Sequence, residues 1–395
     1  MVEIKNILVL GAGLMGSGIG QVSLQAGYNI TVVDVNEDFV AKGVAKIKDG
    51  LKKLETKGML AEGITANSLM EKCKKSVNLA EAVNDIDMVI EAVVEKLDVK
   101  KQVCKITIKN GPSHIIFASN TSTMSITEIG RDCGGPDRVC GMHFFNPVPF
   151  MRCIEVIKGD KTSEETFNTV IEVGKSLPCL KGDRYIAPVL KDRPGFIVNR
   201  LNAPVYIYVN WCFDQAAKKR IPWESLDADA GGKMPMPPCL LADFVGIDTM
   251  IHVSNYYKQT LSPDFEPSKA AKDLFKKGDL GQKTGKGFYD WSKGREVLFA
   301  KIKSAKPAGI FDLNTVYAIL LNEGCRILDE GITTGFKAID DANMAGMSAP
   351  GPFGAGKKNY KEWCELLEKL ADKTGINYFR PIELMKSGEF ADMRK

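Results

Sequence analysis

A strand, a glycine-rich turn, a helix and a second strand occupy the first thirty-four residues, and this pattern restricts the fold more than any other in the chain. The apolar run Ile4–Leu10 leads into Gly11, Gly13 and Gly16, and after a helical stretch a second apolar run covers Ile30–Asp34. Two strands joined by a helix are the repeating unit of parallel sheets that carry helices on both faces. The sequence therefore predicts an α/β domain in the first part of the chain.

The three glycines have the spacing G-x-G-x-x-G, in which each glycine has a separate role. The first permits a tight turn, the second lets a pyrophosphate approach the backbone, and the third lets helix and strand pack closely. Asp34 ends the second strand, where a carboxylate accepts hydrogen bonds from the ribose hydroxyls of an adenosine. A 2′-phosphate would be repelled there, and Val35 and Asn36 offer it no cation, so NAD is expected rather than NADP. The alternative is a structural turn with a surface aspartate.

Strands and helices continue to alternate after Asp34. Apolar periodicity predicts a helix at Glu37–Lys57, a strand at Met88–Glu91, a helix at Lys96–Lys109, and strands at Ile115–Ala118, Val139–Phe145 and Cys153–Ile157. Such alternation indicates a parallel sheet. We therefore predict a Rossmann-type NAD-binding domain at residues 1–185.

Beyond Pro194 and Gly195 the apolar pattern becomes that of helices. The strongest helical segments are Phe196–Lys218, Pro222–Ala230, Leu240–Lys258 and Ser268–Lys277. A weak repeat at an offset of 112 residues relates Leu201-Asn202, Asn210 and Asp229-Ala230 to Leu313-Asn314, Asn322 and Asp341-Ala342. The matches fall in similar helical patterns and predict a duplicated helical unit. We expect an all-α domain at residues 186–294 and a second helical repeat at residues 295–395.

Only three histidines are present, so a base that titrates near neutral pH has few candidates. His143 ends an apolar strand, and the proline-stiffened loop 146–149 returns the chain so that Glu155 can lie opposite it. A buried carboxylate beside one ring nitrogen fixes the tautomer and leaves the other nitrogen for a substrate hydroxyl. From these residues alone, a histidine packed in the core beside two phenylalanines is the more common arrangement.

Two further polar residues lie where a ligand could be held. Ser122 follows a buried strand, and open α/β sheets bind their ligands at the carboxyl ends of strands. Asn199 lies within an apolar helix, where a buried amide can polarise a carbonyl. Turn formation near Ser122 and capping of a neighbouring loop by Asn199 explain the two residues equally well at this point.

Taken together, these segments resemble the 3-hydroxyacyl-CoA dehydrogenase family, with motifs in the same order and spacing from the glycine turn to Tyr289. The resemblance implies a Rossmann-type domain followed by all-α domains of the 6-phosphogluconate dehydrogenase type. It also implies that His143 is the catalytic base and that Glu155 orients it. Ser122 would contact the substrate oxygen, and Asn199 would hold the thioester end.

The same resemblance implies the residues that contact the ligands. The implied cofactor residues are Gly11, Gly13, Leu14, Met15, Gly16, Asp34, Glu95, Lys100, Ser122, Asn146 and Lys283. Coenzyme A would contact Ser122 and Lys57, whereas a serine that the family places on the helix of Lys57 is replaced here by Gly50. Loss of that hydrogen bond would weaken coenzyme A binding by about 0.5–1.5 kcal/mol. No metal ligand set is indicated.

The implied reaction is the reversible oxidation of an (S)-3-hydroxyacyl-CoA to the 3-ketoacyl-CoA with NAD, as in fatty acid β-oxidation, with 3-hydroxybutyryl-CoA and acetoacetyl-CoA among the short-chain substrates. A catalytically silent NAD-binding protein and a dehydrogenase of a non-CoA hydroxy acid remain as alternatives. The segment after Trp291 resembles the second helical repeat of multifunctional β-oxidation enzymes. Because the repeat places Phe311 opposite Asn199, we expect no second active site there.

Composition and charge narrow the partners and the location. The formal charge is +4 over 395 residues, with basic and acidic residues interleaved, so nucleic acid is not expected. The ten cysteines include no C-x-x-C pair, which argues against zinc and against a disulfide framework. No apolar stretch approaches the ~20 residues of a membrane-spanning helix, and no secretory signal is recognised, so we expect a cytoplasmic enzyme without membrane contact. The family resemblance further implies a homodimer, loosely associated with an enoyl-CoA hydratase or thiolase.

Overall fold

The computed structural model describes residues 3–234 and 236–394, which form two compact units. The first unit contains the residues up to Asn199 together with Glu330–Gly351. The second contains Arg200–Asp329 together with Pro352–Arg394. The first unit therefore includes a segment from the region in which the sequence predicts the second helical repeat. The predicted boundaries of three domains, 1–185, 186–294 and 295–395, stay a prediction.

The first unit is built on one sheet of eight strands in the order β3-β2-β1-β4-β5-β6-β7-β8. The strands are β1 (Asn6–Leu10), β2 (Asn29–Val33), β3 (Cys73–Ser76), β4 (Met88–Glu91), β5 (Ile116–Ser119), β6 (Val139–Phe144), β7 (Cys153–Ile157) and β8 (Tyr185–Val189). Neighbouring strands are parallel except β6 and β7, which are antiparallel. The predicted α/β class and its parallel sheet are confirmed, and two strands that the sequence did not predict, β3 and β8, form the two edges of the sheet.

Seventeen α-helices lie in the described residues. Those of the first half are α1 (Leu14–Gln25), α2 (Glu37–Thr56), α3 (Ala66–Met70), α4 (Leu79–Ala82), α5 (Leu97–Asn110), α6 (Ile126–Gly130), α7 (Glu164–Ser176) and α8 (Val198–Lys218). The remainder are α9 (Trp223–Ala228), α10 (Pro238–Val245), α11 (Ile247–Thr260), α12 (Lys269–Lys277), α13 (Arg295–Ser304), α14 (Leu313–Asp329), α15 (Phe336–Met347), α16 (Phe353–Thr374) and α17 (Glu383–Ser387). None of these helices is both long enough and apolar enough to cross a membrane.

Helices cover both faces of the sheet, so the central strands are buried along their whole length rather than at alternate residues. One face packs side chains of β1, β4, β5, β6 and β7 against α1 and α7: Ile7, Val9, Ile90, Ala118, Met142 and Val156 against Ile19, Val22, Phe167 and Val170. The other core joins β2 to α2 and α3 through Ile30, Val32, Ile47, Leu51, Ala66 and Leu69. Each large apolar side chain buried in this way contributes about 1.5–3 kcal/mol.

Helix α2 illustrates how the sequence produces these elements. Asn36 caps its first turn by accepting a hydrogen bond from the amide of Phe39 at 2.9 Å. The buried residues Val40, Ile47 and Leu54 recur every seven positions and form one apolar stripe, while the lysines face outward. The helix predicted at Glu37–Lys57 is confirmed.

Helix α15 belongs to the first unit and packs against β7 and β8. The amide of Leu190, just after β8, donates to the carbonyl oxygen of Ile332 at 2.8 Å, and the hydroxyl of Tyr185 donates to that of Ala338 at 3.4 Å. This edge of the sheet is therefore covered by a helix from the last third of the chain.

The second unit consists of helices, as the sequence predicts, but the single predicted helix at Leu240–Lys258 is wrong. Two helices, α10 and α11, replace it because Gly246 adopts φ +102°, a conformation that interrupts a helix and that residues with a Cβ atom rarely adopt. The two related asparagines, Asn210 and Asn322, are both buried within helices, α8 and α14. Asn322 holds the segment before α17, because its Oδ1 accepts from the amide of Ile382 at 3.0 Å.

Candidate active site

The glycine turn has the geometry that a bound pyrophosphate requires. Gly11 has φ +100°, and a Cβ atom on it would lie 2.4 Å from the carbonyl oxygen of Ala92. A Cβ atom on Gly16 would lie 1.7 Å from the carbonyl oxygen of Gly11, so only glycine allows α1 to start this close to β1. A Cβ atom on Gly13 would meet no protein atom within 4 Å. The space beside Gly13, at the amino end of α1, is thus open for an anionic ligand.

Asp34 is held at the edge of a cavity of about 630 Å³ that also includes Gly11 and Gly13. Its Oδ2 accepts from the amide of Ala12 and its Oδ1 from the amide of Val35, both at 2.7 Å. These bonds fix the carboxylate but leave lone pairs for further donors. The cavity walls combine apolar side chains, such as Val35 and Val94, with the lysines of α2, which suits an adenosine and its phosphates.

A buried ion cluster lies next to the glycine turn. Glu91, at the end of β4, is fully buried and accepts from Lys100 Nζ at 2.7 Å, Ser119 Oγ at 2.6 Å and the amide of Val93 at 2.8 Å. Lys100 is also buried and forms a second ion pair with Glu95 at 3.0 Å. Burial of Lys100 is tolerated because both carboxylates compensate its charge.

Glu95 accepts hydrogen bonds from the polar residues that follow β5. Its Oε1 accepts from the hydroxyl of Thr121, from the amide of Ser122 at 3.3 Å and from the hydroxyl of Thr123 at 3.2 Å. Burial acts to raise the pKa of Glu95, but the charge of Lys100 and these hydroxyl donors outweigh it and lower the pKa. Glu95 is therefore ionised and places Ser122.

His143 and Glu155 form the pair that their spacing predicts. They are direct partners across the antiparallel ladder of β6 and β7, and Nδ1 of His143 lies 2.7 Å from Oε2 of Glu155. Both are buried, at 5 % and 0 % exposure. Oε1 of Glu155 accepts from the amides of Ile197 at 3.0 Å and Val198 at 2.8 Å, at the start of α8. The carboxylate is thus satisfied on both oxygens, and the second ring nitrogen of His143 is left for a ligand.

A second cavity, of about 370 Å³, brings most of the predicted catalytic and nicotinamide residues together. It is lined by Met15, Ala92, Val93, Glu95, Lys100, Asn120, Ser122, His143, Phe144, Phe145, Asn146 and Asn199. Ala92 and Val93 also line the cavity of Asp34, so the two cavities adjoin along the end of β4. A dinucleotide extending from Asp34 past the glycine turn would place its second half in the cavity of His143.

Other predicted residues lie elsewhere. Leu14 is exposed at the first position of α1. Lys57 borders a surface depression of about 330 Å³ at the end of α2, which is also lined by Asp49, Lys52, Lys53 and Thr56. Lys283 belongs to the second unit, where its Nζ lies 2.5 Å from Oδ1 of Asp248. Gly50 faces Gln21, whose Oε1 would lie 2.1 Å from an added Cβ atom.

Two residues of the site were missed from the sequence. One is Glu91. Its signal in the sequence is a carboxylate at the end of an apolar strand, followed nine residues later by the lysine that pairs with it. Asn120 is the other: its Oδ1 accepts from the amide of Phe144 at 2.9 Å and joins the loop after β5 to the end of β6. Its position between Ser119 and Thr121 gave no separate signal.

The glycine turn, the acidic residue at the end of β2 and a histidine–carboxylate pair on the adjoining cavity define an NAD-dependent dehydrogenase. Residues 6–179 match the sequence model for the 3-hydroxyacyl-CoA dehydrogenase NAD-binding domain, and residues 195–291 match the model for the C-terminal domain of the same enzymes. The chain belongs to the 3-hydroxyacyl-CoA dehydrogenase family. The predicted family and cofactor are thereby confirmed.

Relatives and solved structures agree with this assignment. Mitochondrial hydroxyacyl-coenzyme A dehydrogenase of Sus scrofa is 36% identical over 296 residues, which covers 73% of this chain and 91% of the relative. The crystal structure of (S)-3-hydroxybutyryl-CoA dehydrogenase from Ralstonia eutropha is 34% identical and matches 73% of this chain and 99% of its own, with a TM-score of 0.66. A 3-hydroxybutyryl-CoA dehydrogenase structure from Escherichia coli, at 24% identity, covers 98% of both chains with a TM-score of 0.85 and shares the fold of the whole chain.

Proposed function

We propose that His143 is the general base in the reversible oxidation of (S)-3-hydroxyacyl-CoA to 3-ketoacyl-CoA with NAD, and that Glu155 orients it. The observation that carries this proposal is the buried His143–Glu155 pair on the cavity that also contains Ser122 and Asn199. As a member of its family the chain is an NAD-dependent 3-hydroxyacyl-CoA dehydrogenase.

The proton transfer follows from the geometry of the pair. Because Nδ1 donates to Glu155, the neutral ring has its lone pair on the other nitrogen, which takes the proton of the C3 hydroxyl. Glu155 would stabilise the imidazolium through the same bond, while its second oxygen is held by two backbone amides. Ser122 positions the C3 oxygen and Asn199 holds the thioester carbonyl, each from the wall of the same cavity.

The cofactor residues divide between the two adjoining cavities. Asp34 holds the adenosine ribose, and the backbone around Gly11, Gly13, Leu14, Met15 and Gly16 faces the pyrophosphate. On the other side, Glu95, Lys100, Ser122 and Asn146 face the nicotinamide half. The family resemblance also implies a cofactor role for Lys283. NAD supplies the hydride acceptor. The cluster of two carboxylates and one lysine has a net charge of −1, which suits a cationic nicotinamide ring.

Coenzyme A would be bound through its phosphates by Lys57. The depression at the end of α2 supports this, because Lys52 and Lys53 line it with Lys57 and outweigh the one carboxylate there, Asp49. Gly50 provides no hydroxyl, so the contact depends on lysine charges. We include acetoacetyl-CoA and 3-hydroxybutyryl-CoA among the substrates, in line with the name of the 34% identical Ralstonia eutropha enzyme.

The assembly also follows the family resemblance. We propose a homodimer that associates loosely with an enoyl-CoA hydratase or thiolase, and we keep the cytoplasmic location as the expectation from the sequence. The boundaries 1–185, 186–294 and 295–395 are proposed as domain limits along the chain, with residues 330–351 packed in the first unit.

Loss of NADH absorbance with acetoacetyl-CoA tests the proposed function, with NADPH and free acetoacetate as paired controls. We expect rapid turnover with NADH and the thioester only. His143→Ala should lower kcat roughly 100-fold or more while NADH still binds. Normal turnover in His143→Ala would overturn the assignment of the base. Bound NADH without turnover of the thioester would instead favour a silent NAD-binding protein, and turnover of free acetoacetate a dehydrogenase of another acid.

A further inference from the structure

Helix α15 lies against the active-site wall of the first unit. Near the end of this helix, a Cβ atom on Gly346 would lie 3.2 and 3.3 Å from Cε1 and Cζ of Phe145, and 3.4 Å from Cβ of Cys153. Contacts this short leave no room for a side chain unless a neighbour shifts by a few tenths of an ångström. The missing side chain at Gly346 therefore allows the helix backbone to pack on the ring of Phe145.

Phe145 connects this helix to the candidate base. Its ring centroid lies 4.6 Å from that of His143, with the planes tilted by 52°, and it lines the same cavity. The imidazole is also bonded to Glu155, and the ring of Phe196 packs at 5.9 Å between ring centroids. Because Phe145 packs against the imidazole, a shift of Phe145 caused by α15 changes the packing that holds His143 at the wall of the cavity.

The helix itself cannot easily retreat. Its body packs on β7, the strand of Glu155, and on β8. Before the helix, Ile332 accepts from the amide of Leu190 at 2.8 Å, and within it Ala338 accepts from Tyr185 at 3.4 Å. After the helix, the side-chain amide of Asn343 donates to the carbonyl oxygens of Ala349 at 3.1 Å and Pro350 at 3.2 Å. The contacts with β7 and β8 hold α15 against the sheet, and the bonds of Asn343 order the chain at its end.

We propose that Gly346 is a positioning residue for the reaction, because it lets α15 support Phe145 and thereby hold His143 at the angle that proton transfer needs. This proposal rests on the proposed role of His143 as base. It assigns to the last third of the chain a part in catalysis as well as in stability, although that part of the chain contributes no catalytic residue to the cavity described above.

The test is Gly346→Val in the full chain, assayed with NADH and acetoacetyl-CoA. We expect kcat to fall about tenfold or more, because displacing a catalytic group by a fraction of an ångström is costly in rate. The KM for acetoacetyl-CoA and the Kd for NADH should change less than twofold. Valine has a higher helix propensity than glycine, so weakening of α15 would not explain the loss. Met344→Val, on the exposed side of the same helix, is the matched control and should keep full kcat.

Two readouts separate positioning from a general structural effect. The midpoint of the pH profile of kcat/KM should shift in Gly346→Val, because the bond between His143 and Glu155 is disturbed, and should not shift in Met344→Val. Phe145→Leu should suppress the loss of kcat caused by Gly346→Val, because the smaller leucine makes room for valine. The double variant should therefore have a kcat less than threefold below that of Phe145→Leu alone.

The results distinguish the role of Gly346 from the role of His143. Wild-type kcat and pH profile in Gly346→Val, together with an inactive His143→Ala, would overturn the role of Gly346 and leave the base in place. An active His143→Ala would instead remove the base assignment itself. If Gly346→Val does not fold, Gly346→Ala decides: a fall in kcat of about threefold with a shifted pH midpoint supports the proposal, and wild-type values of both overturn it.

Discussion

Oε2 of Glu155 lies 2.7 Å from Nδ1 of His143, and the two residues are paired directly across the only antiparallel step of the described sheet. In this step the chain turns back after His143 and places position 155 opposite position 143 on the same face. The other oxygen of Glu155 accepts two amides at the start of α8. One carboxylate therefore sets both the tautomer of the histidine and the entry into the helix that contains Asn199.

Replacing Glu155 by glutamine tests this double role. If its NH₂ points at His143, glutamine favours the tautomer with the proton on the other ring nitrogen, which then cannot accept the substrate proton. If its NH₂ points at the two backbone amides instead, donors oppose donors. We expect kcat in the acetoacetyl-CoA assay to fall roughly 100-fold and the melting temperature to fall by several degrees. Glu172→Gln, on the exposed surface of α7, is the control. Unchanged kcat in Glu155→Gln would contradict the orienting role.

The choice of cofactor should depend on Asp34. In Asp34→Ala the ribose hydroxyls lose a charged acceptor, which costs about 1.5–3 kcal/mol, or roughly 10- to 150-fold in NADH affinity. The repulsion of a 2′-phosphate disappears at the same time. The ratio of kcat/KM for NADH over NADPH should therefore fall at least tenfold, measured beside Asp38→Ala, an exposed carboxylate in the first turn of α2. A ratio that stays at the wild-type value would show that Asp34 does not bind the ribose hydroxyls.

The strength of coenzyme A binding should depend on Lys57. Removing one lysine that bonds a phosphate at the surface costs about 1 kcal/mol, so Lys57→Ala should raise the KM for acetoacetyl-CoA about fivefold without changing kcat. The effect should shrink in high salt, because the site is open to solvent. Lys48→Ala removes an exposed lysine of the same helix outside the depression and should have no effect. Equal KM values for the two variants would move the coenzyme A site elsewhere.

Most of the active site was predictable because its signals are local. The glycine turn and Asp34 lie within one strand–helix–strand unit, and the spacing from His143 to Glu155 is that of two strands joined by a short loop. The cluster of Glu91 and Lys100 was harder to predict, because their contact depends on how α5 packs on the end of β4. A buried lysine looks like any surface lysine in the sequence.

Two features of the fold that the sequence did not predict are β8 and the break between α10 and α11. Strand β8 is an edge strand whose apolar residues are buried on one side by α15, more than 140 residues later in the chain. The sequence of neither element indicates that the two pack together. The break between α10 and α11 depends on one glycine, Gly246, whose positive φ cannot be distinguished in sequence from that of a glycine tolerated inside a helix.

Removing the chain after Gly294 should leave the catalytic residues in place but yield a less stable and slower enzyme. The truncation uncovers β7 and β8, which α15 shields, and deprives the buried Arg200 of its ion-pair partner Glu323. Separating a buried ion pair typically costs about 3–5 kcal/mol. We expect the truncated protein to melt well below the full chain, and its kcat to fall through the loss of support for Phe145. A truncated protein with the full melting temperature would refute the stabilising role of the last third.

Asp227 makes the stability of the second unit depend on pH. Burial raises the pKa of Asp227 to about 6, although the amides of Cys239 and Leu240 and the hydroxyl of Tyr289 donate to its carboxylate. Between its ordinary value of 3.8 and about 6, the folded protein holds a proton that the unfolded chain has lost. This contribution to stability is therefore complete below about pH 4 and is lost as the pH rises through 6.

The free energy of unfolding in urea, measured between pH 4 and pH 7, tests this expectation. A shift of two pKa units corresponds to about 3 kcal/mol. Because Asp227→Asn cannot ionise, its free energy of unfolding should fall less between pH 4 and pH 7 than that of the wild type, by up to this amount. The comparison with the wild type is needed because burial also raises the pKa of Asp243, which adds a slope of the same sign. Asp273→Asn, exposed on α12, should keep the wild-type slope. If Asp227→Asn and the wild type lose stability in parallel over this range, Asp227 is not the titrating group.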